Sequence, residues 1–322
     1  RLQSGWAKCE TERGKYYFAW LDSCVNGLAE QSVQPWLCLC YGNPIYGSDF
    51  KLQAKIFTDE ETMSAWLKYV EATVTRYKDV VKEWEIWNEA NNGNKDPEVY
   101  ASLFIKTAEV VRKVQPEAVI IGLSTYRIPL DYIKDFLDIL KMNRKLELLD
   151  YVCYHPYLNN PDDSYEDVDK LIALVHSYSP DIQIYQGENG CPSTLEWGHA
   201  LKYYQWTEIS QAKWYMRRMA GDRMYNIRTN VFTIIDLQYF NMLQSFGLIR
   251  STLLNEIIYK RPSYYGVQHM VSVFDDSVVP EGALNFTSNW PREMTIARFK
   301  KGNHPIVLLW FKDRIPDDEF KW

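Results

Sequence analysis

The chain lacks any C-x-x-C pair. Its six cysteines (Cys9, Cys24, Cys38, Cys40, Cys153 and Cys191) are spread over 322 residues, and its five histidines fall singly at His155, His176, His199, His269 and His304. No His/Cys/Asp group stands at metal-ligand spacing, so no catalytic metal and no cofactor are expected. Cys38 and Cys40 alternate within an apolar run and would share one strand face, where free buried thiols are expected rather than a disulfide. Also missing is any run of about 18 or more apolar residues, which excludes a membrane-spanning helix of the usual kind. The formal net charge is -6 with no long basic run, which argues against a nucleic-acid partner. There is no signal-peptide pattern and no initiating Met before Arg1-Leu2-Gln3, so a start upstream is expected and the compartment stays open beyond a soluble protein. Low-complexity segments are absent too.

What is present is ordinary apart from the aromatics. Hydrophobic residues make up 46% and charged residues 24%, as in soluble globular proteins. The 23 Tyr, 12 Trp and 13 Phe suit a site that stacks flat rings on sugar faces, although aromatics equally fill cores.

Short apolar runs alternate with longer helical stretches, the pattern of repeated βα units around a parallel sheet. Strands are expected at Pro35 to Tyr41, Lys82 to Trp87, Ala118 to Leu123, Leu149 to Tyr154, Ile182 to Gln186 and Asn230 to Ile235. Helices are expected at Ala19 to Glu30, from Thr58 to about Tyr77, Glu98 to Val114, Leu130 to Leu140, Tyr165 to Tyr178, Gln205 to Ala220 and Ser263 to Phe274. Thr58-Asp59-Glu60-Glu61 reads as a capping box with Thr58 at its head. Leu2 to Trp6 looks like the stub of an earlier strand. With it the series has seven of the eight strands of a (β/α)8 TIM barrel, and the first βα unit is expected upstream of this chain. An open doubly wound sheet is the alternative. The barrel would occupy residues 1-275. Residues 276-322 read as a β-rich segment of a small β-sandwich-like domain, with a hairpin of Met294 to Phe299 and Ile306 to Phe311 around Lys301-Gly302-Asn303.

Cleaving a glycoside with retention takes two carboxyl groups on opposite sides of the anomeric carbon. In a barrel both belong where strands end, at the C-terminal face. Glu89 follows Trp84-Glu85-Ile86-Trp87-Asn88, just before the polar loop Asn91-Asn92-Gly93-Asn94. Glu188 ends Ile184-Tyr185-Gln186-Gly187, before Asn189-Gly190-Cys191-Pro192. With the upstream unit counted they stand on the fourth and seventh strands. The bland reading of each is a surface glutamate, since strand ends are often charged.

On these residues the chain resembles glycoside hydrolase clan A, the retaining (β/α)8-barrel glycosidases, whose signature is Asn-Glu after strand four and a second Glu after strand seven. The resemblance covers about residues 1 to 275 and includes Trp87-Asn88-Glu89, Tyr154-His155-Pro156-Tyr157 and Gly187-Glu188-Asn189-Gly190. Gly14-Lys15-Tyr16-Tyr17-Phe18 and Lys260-Arg261-Pro262-Ser263-Tyr264-Tyr265-Gly266 look like family 39, the β-xylosidase and iduronidase group. The resemblance implies Glu89 as acid/base, with a raised pKa, and Glu188 as an ionised nucleophile. It implies that Asn88 bonds the sugar 2-hydroxyl, that Tyr157 bonds the nucleophile, and that His155 meets sugar or a catalytic carboxylate. Arg1 would steady the nucleophile's charge. Against these stand local readings: Asn88 satisfying a turn and His155 a core histidine.

Trp6, Tyr126, Trp197 and Tyr239 lie at or beyond strand ends, where each either stacks on sugar or packs. The loop from Cys191 to Tyr204 is where specificity is expected. Many clan members end the eighth strand with a Trp; here the stretch is Ile234-Ile235-Asp236-Leu237-Gln238-Tyr239-Phe240, leaving Tyr239 or Phe240 as platform and Asp236 as a polar contact. The expected function is exo-acting retaining hydrolysis of β-linked glycosides or oligosaccharides. The alternatives are an endo-acting glycanase of the family 5 type and a carbohydrate-binding barrel without catalysis.

Overall fold

A computed structural model of the protein describes residues 1–47, 59–92, 96–240, 242–312 and 314–315. Seven strands lie in one sheet in the same order as in the chain: β1 (Leu2–Gln3), β2 (Trp36–Leu39), β3 (Glu83–Ile86), β4 (Val119–Tyr126), β5 (Tyr151–His155), β6 (Gln183–Asn189) and β7 (Arg228–Val231). The pairs from β1 to β5 are parallel. A doubly wound sheet would reverse its strand order partway across, and this one does not. The order fits a partial (β/α)8 barrel of seven strands.

Side chains alternate across these strands, so register decides what each face carries. Cys38 stands opposite Glu85, Glu85 opposite Ile121, and Ile121 opposite Tyr151. Ile121, Cys153 and Tyr185 form a buried cluster with Trp36 and Tyr151. On the other face Trp84 donates its indole N–H to Gln115 at 2.8 Å. Gly122 sits so close to Phe104 and Leu149 that a Cβ there would lie 2.7 Å from Leu149. That close packing is why the strand has a glycine at this point.

Between the strands run α1 (Ala19–Glu30), α2 (Glu60–Tyr77), α3 (Pro97–Val114), α4 (Leu130–Met142), α5 (Tyr165–Tyr178) and α6 (Glu208–Met224), with α7 (Pro262–Val273) beyond β7. Their starts carry the expected chemistry. Asp96 caps α3 ahead of Pro97, and Thr207 and Ser210 cap α6 reciprocally. The head of α2 differs from expectation: Asp59 is the cap, its carboxylate accepting from Thr62 N at 2.8 Å, while Thr58 lies outside the described residues.

Two strand ends also differ. The first strand stops at Gln3, because Gly5 turns left-handed (φ 61) and starts a short helix, Trp6–Cys9. The strand expected to reach Ile235 stops at Val231; a hairpin of β8 (Leu237–Tyr239) and β9 (Met242–Gln244) follows, then another of β10 (Ile249–Ser251) and β11 (Ile257–Lys260). The terminal strands are β12 (Val278–Ala283), β13 (Met294–Lys301) and β14 (His304–Phe311), an antiparallel three-stranded sheet. The turn at Lys301-Gly302-Asn303 is as expected, and β12 is an added strand.

The chain divides into two compact units, Arg1–His155 with Asp169–Tyr185, and Pro156–Val168 with Gln186–Trp322. The second has its own core of Cys191, Trp206, Trp214, Tyr215, Leu248 and Ile315. All six cysteines are free; five are buried and Cys24 is exposed. Among the described residues no helix is long and apolar enough to cross a membrane.

Candidate active site

In the first unit the chain leaves β3 through two residues in the left-handed region, Trp87 (φ 69) and Glu89 (φ 50). Each costs about 1–3 kcal/mol and persists only where the surroundings over-determine it. They do so here. Trp87 N bonds Leu39 O on β2, and Glu89 N bonds Ser124 O on β4 at 2.8 Å. The Trp87 ring is buried against Trp66 and Tyr41. Asn91 brackets the end of β4, its Nδ2 donating to Tyr126 O and its Oδ1 accepting from Tyr126 N. Glu89 is thus held by the strands on either side of its own.

The Glu89 side chain is 16% exposed, with His155 Nδ1 3.4 Å from its Oε1 and Asn92 Nδ2 donating to its Oε2 at 2.9 Å. Burial pushes this carboxyl up, but the His155 and Asn92 contacts outweigh it and hold the group below the ordinary carboxylate range. An acid/base needs the opposite direction, so the elevation expected for Glu89 is not found.

Below Glu89 on the same face lies a buried ion pair that the sequence reading did not single out. Arg1 grips Glu85 with both arms of its guanidinium, Nε to Oε2 at 2.7 Å and Nη2 to Oε1 at 2.6 Å. Trp36 Nε1 donates to Oε2 at 2.9 Å. The same Arg1 Nη2 donates to Asn88 Oδ1. Burial would raise the Glu85 carboxyl, but the Arg1 charge and bonds overcome this and hold it down at about 2. A signal was available: Trp84 and Ile86 take the apolar face of β3, so Glu85 must face the other way, where only a cation makes its burial tolerable. Arg1, expected to steady Glu188, therefore has Glu85 as its partner in this unit. Glu85, Cys153 and His155 place ligand-type atoms within 4.8 Å of one another. The guanidinium on both Glu85 oxygens opposes any second cation there, so the set does not suit a metal.

Tyr126 ends β4, is 38% exposed, and has the Arg127 guanidinium 5.3 Å from its ring centre. Trp6 is corrected: it is fully buried, stacked with Tyr46 and Tyr69, with its N–H on Glu10 at 2.6 Å. It offers no ring face to a sugar.

In the second unit Glu188 stands one residue before the end of β6. Tyr157 donates its O–H to Glu188 Oε1 at 2.7 Å. The Tyr157 ring is flanked edge-on by Phe232 and Phe246, and Trp214 Nε1 bonds Leu158 O beside it. The motif around Glu188 has a local logic. Asn189 Nδ2 bonds Asn230 O at 2.9 Å, and Phe232 N bonds Asn189 O at 2.7 Å. A Cβ on Gly190 would fall 1.9 Å from Phe232 O, so only glycine lets the β7 chain pass this close.

Tyr239 is 41% exposed, its ring 4.4 Å from that of His199, and burial followed by the charges of Glu188 and Glu196 raises its hydroxyl pKa. Trp197 is 72% exposed and meets Tyr203 edge-on. Phe240 is fully exposed. The loop that carries Trp197 is anchored by Glu196, whose Oε1 accepts from Ser245 Oγ at 2.7 Å. Asp236, expected to meet sugar hydroxyls, is buried and corrected to an ion-pair role: Arg261 Nη1 and Nη2 bond its two oxygens at 2.7 and 2.9 Å, and Gly247 N bonds Oδ1 at 3.0 Å.

No protein-family model matches the chain, and no curated protein does. Solved structures do. A family 39 glycoside hydrolase from the gut symbiont Bacteroides cellulosilyticus WH2 matches with a TM-score of 0.72 at 18% identity, over 97% of this chain and 64% of that one. A monomeric β-xylosidase from Caulobacter crescentus CB15 matches with a TM-score of 0.60 at 16% identity, over 88% and 62%. Xylanase 10B from Thermotoga petrophila RKU-1, in complex with xylobiose, matches with a TM-score of 0.57 at 17% identity, over 83% of each chain. The chain spans 64% and 62% of the first two proteins. It is similar in fold to clan A glycoside hydrolases of families 39 and 10.

Proposed function

We propose that the chain is a retaining glycoside hydrolase for β-linked sugars, with Glu89 as acid/base and Glu188 as nucleophile. The observation that supports it best is positional. Glu89 lies three residues past the end of β3 and Glu188 is the next-to-last residue of β6, three strands on in the same series, in a fold similar to that of a family 39 glycoside hydrolase and a β-xylosidase. The reading requires the carboxyl groups to lie about 5–5.5 Å apart around the anomeric carbon.

In the first step a Glu188 oxygen bonds the anomeric carbon as its bond to the leaving oxygen breaks, and Glu89 gives that oxygen its proton. In the second, Glu89, now a carboxylate, takes a proton from water. The water oxygen bonds the anomeric carbon, and Glu188 leaves as a carboxylate. The Tyr157 O–H on Glu188 stabilises the ionised nucleophile and returns to it as the ester breaks. When the glycosyl-enzyme forms, Glu188 loses its charge, and Glu89 can then stay deprotonated to activate water in the second step. Asn88 would bond the sugar 2-hydroxyl, and Tyr126, Trp197 and Tyr239 would offer ring faces.

β-Xylosides are the first substrates to try, because structural neighbours are a β-xylosidase and a xylanase. Exo action is the primary form of the reading and endo action the alternative. Release of nitrophenol from aryl β-glycosides tests it: the wild type turns over, Glu188→Ala falls to background, and Glu89→Ala falls by about 10²–10⁴-fold. A wild type that binds xylo-oligosaccharides without cleaving any aryl glycoside would favour a binding barrel.

A further inference from the structure

We infer that Glu85 is a positioning residue: acting through Arg1, it fixes the Asn88 amide so that its NH₂ group, and not its oxygen, is presented to the sugar 2-hydroxyl. The inference rests on the proposed hydrolase reading for the identity of the partner, but not for the orientation of the amide.

The argument starts from a cost. Glu85 is fully buried and the Arg1 side chain is 6% exposed. A pair this deep gains little over two apolar residues of the same volume, because desolvating both charges offsets their attraction. Stability is thus a weak reason for its presence on the inward face of β3. The geometry supplies a better one. Glu85 takes Arg1 fork to fork through Nε and Nη2, which fixes the plane of the guanidinium as well as its position. Trp36 Nε1 holds the carboxylate from the other side. From that fixed plane Nη2 donates to Asn88 Oδ1.

A side-chain amide has one accepting end and one donating end, and the hydrogen-bonding groups around it decide which way it faces. Here they decide it. Turning Asn88 over would set its NH₂ against the guanidinium N–H groups, donor against donor. With Oδ1 held by Arg1, Nδ2 is the end available to a substrate. Asn88 follows the left-handed Trp87 and precedes the left-handed Glu89, so its backbone is constrained as well. A lysine at position 1 would keep the charge next to Glu85 but lose the fixed plane, being a point donor.

The test compares an aryl β-glycoside with its 2-deoxy counterpart on wild type, Glu85→Gln and Arg1→Lys, each at its own pH optimum. A misdirected transition-state donor costs about 10²-fold. The expected result is that loss, in kcat rather than KM, on the 2-hydroxy substrate, with a much smaller loss on the 2-deoxy substrate. Equal losses on both would overturn the inference, since a general structural defect does not distinguish them. The side-chain amide resonance of Asn88 in a ¹⁵N NMR spectrum gives a readout independent of hydrolysis. It is expected to move in both variants, and an unmoved resonance in a folded variant overturns the inference. If Glu85→Gln does not fold, Arg1→Lys carries both measurements. If the wild type cleaves neither substrate, the hydrolase reading fails while the NMR result still decides the orientation.

Discussion

Glu89 is subject to opposed influences. Burial raises its pKa, while the imidazole at 3.4 Å and the Asn92 amide lower it more. In the proposed reaction Glu89 must hold its proton, so its pKa sets the alkaline limb of the pH–rate profile. Replacing His155 by Gln removes a lowering influence, and the alkaline limb of kcat/KM is expected to move to higher pH; an unmoved limb would separate His155 from the acid/base. Glu85 gives a prediction that needs no substrate. Its carboxyl is lowered from 4.5 to about 2, so as pH falls the unfolded chain takes up this proton first. The stability that Glu85 draws from staying ionised beside Arg1 is fully present above pH 4.5 and is lost between there and pH 2. Urea unfolding across that window is expected to show this slope in the wild type and not in Glu85→Gln. Glu89 and Glu188 were legible in the sequence because strand ends followed by Asn and Gly are visible as a pattern. Glu85 was not read, because its partner Arg1 lies 84 positions away and only the β1–β2–β3 register brings the two together.

Elements whose limits are set by local signals match the limits expected from the sequence. α1 and α5 have the expected limits because apolar period and flanking residues are local signals. The end of β7 was not legible. Ile234 and Ile235 continue an apolar run, and nothing in such a run says where the ladder stops. The stop is tertiary: Gly247 packs so tightly on this segment that a Cβ would lie 2.3 Å from Asp236 N, and Asp236 itself turns inward to Arg261. That pairing converts a residue expected at the sugar into a buried ion pair. Arg261→Met is accordingly expected to cost about 3–5 kcal/mol in chemical unfolding, since it leaves Asp236 buried and uncompensated; a loss under 1 kcal/mol would contradict the pairing. Gly190→Ala puts a methyl carbon against the Phe232 carbonyl, a backbone atom that cannot rotate away. We expect a loss of stability of about 1–3 kcal/mol or more and, through displacement of Glu188, a loss of turnover.

For the whole molecule, composition carried an ambiguous message that the structure divides in two. Much of the aromatic excess fills cores: Trp6, Trp66, Trp84, Trp87 and Trp214 are all fully buried. A smaller share is displayed, with Trp197 at 72% exposure and Tyr203 at 64% on the loop anchored by Glu196. No composition count could separate packing rings from displayed ones, because only tertiary placement does so. The seven-strand order, by contrast, was legible from the alternation of short apolar runs with amphipathic helices. Exo action predicts that xylose alone appears early from a xylo-oligosaccharide, whereas endo action gives shorter oligomers first; product chromatography distinguishes them. The central claim is that Glu188 becomes covalently bonded to sugar. It is tested most directly by incubating the protein with 2-fluoro glycosides that trap the glycosyl-enzyme and mapping the labelled peptide. The expected result is one sugar per chain, carried on Glu188; a label on any other residue, or inversion of the anomeric centre in the released product, would contradict the account.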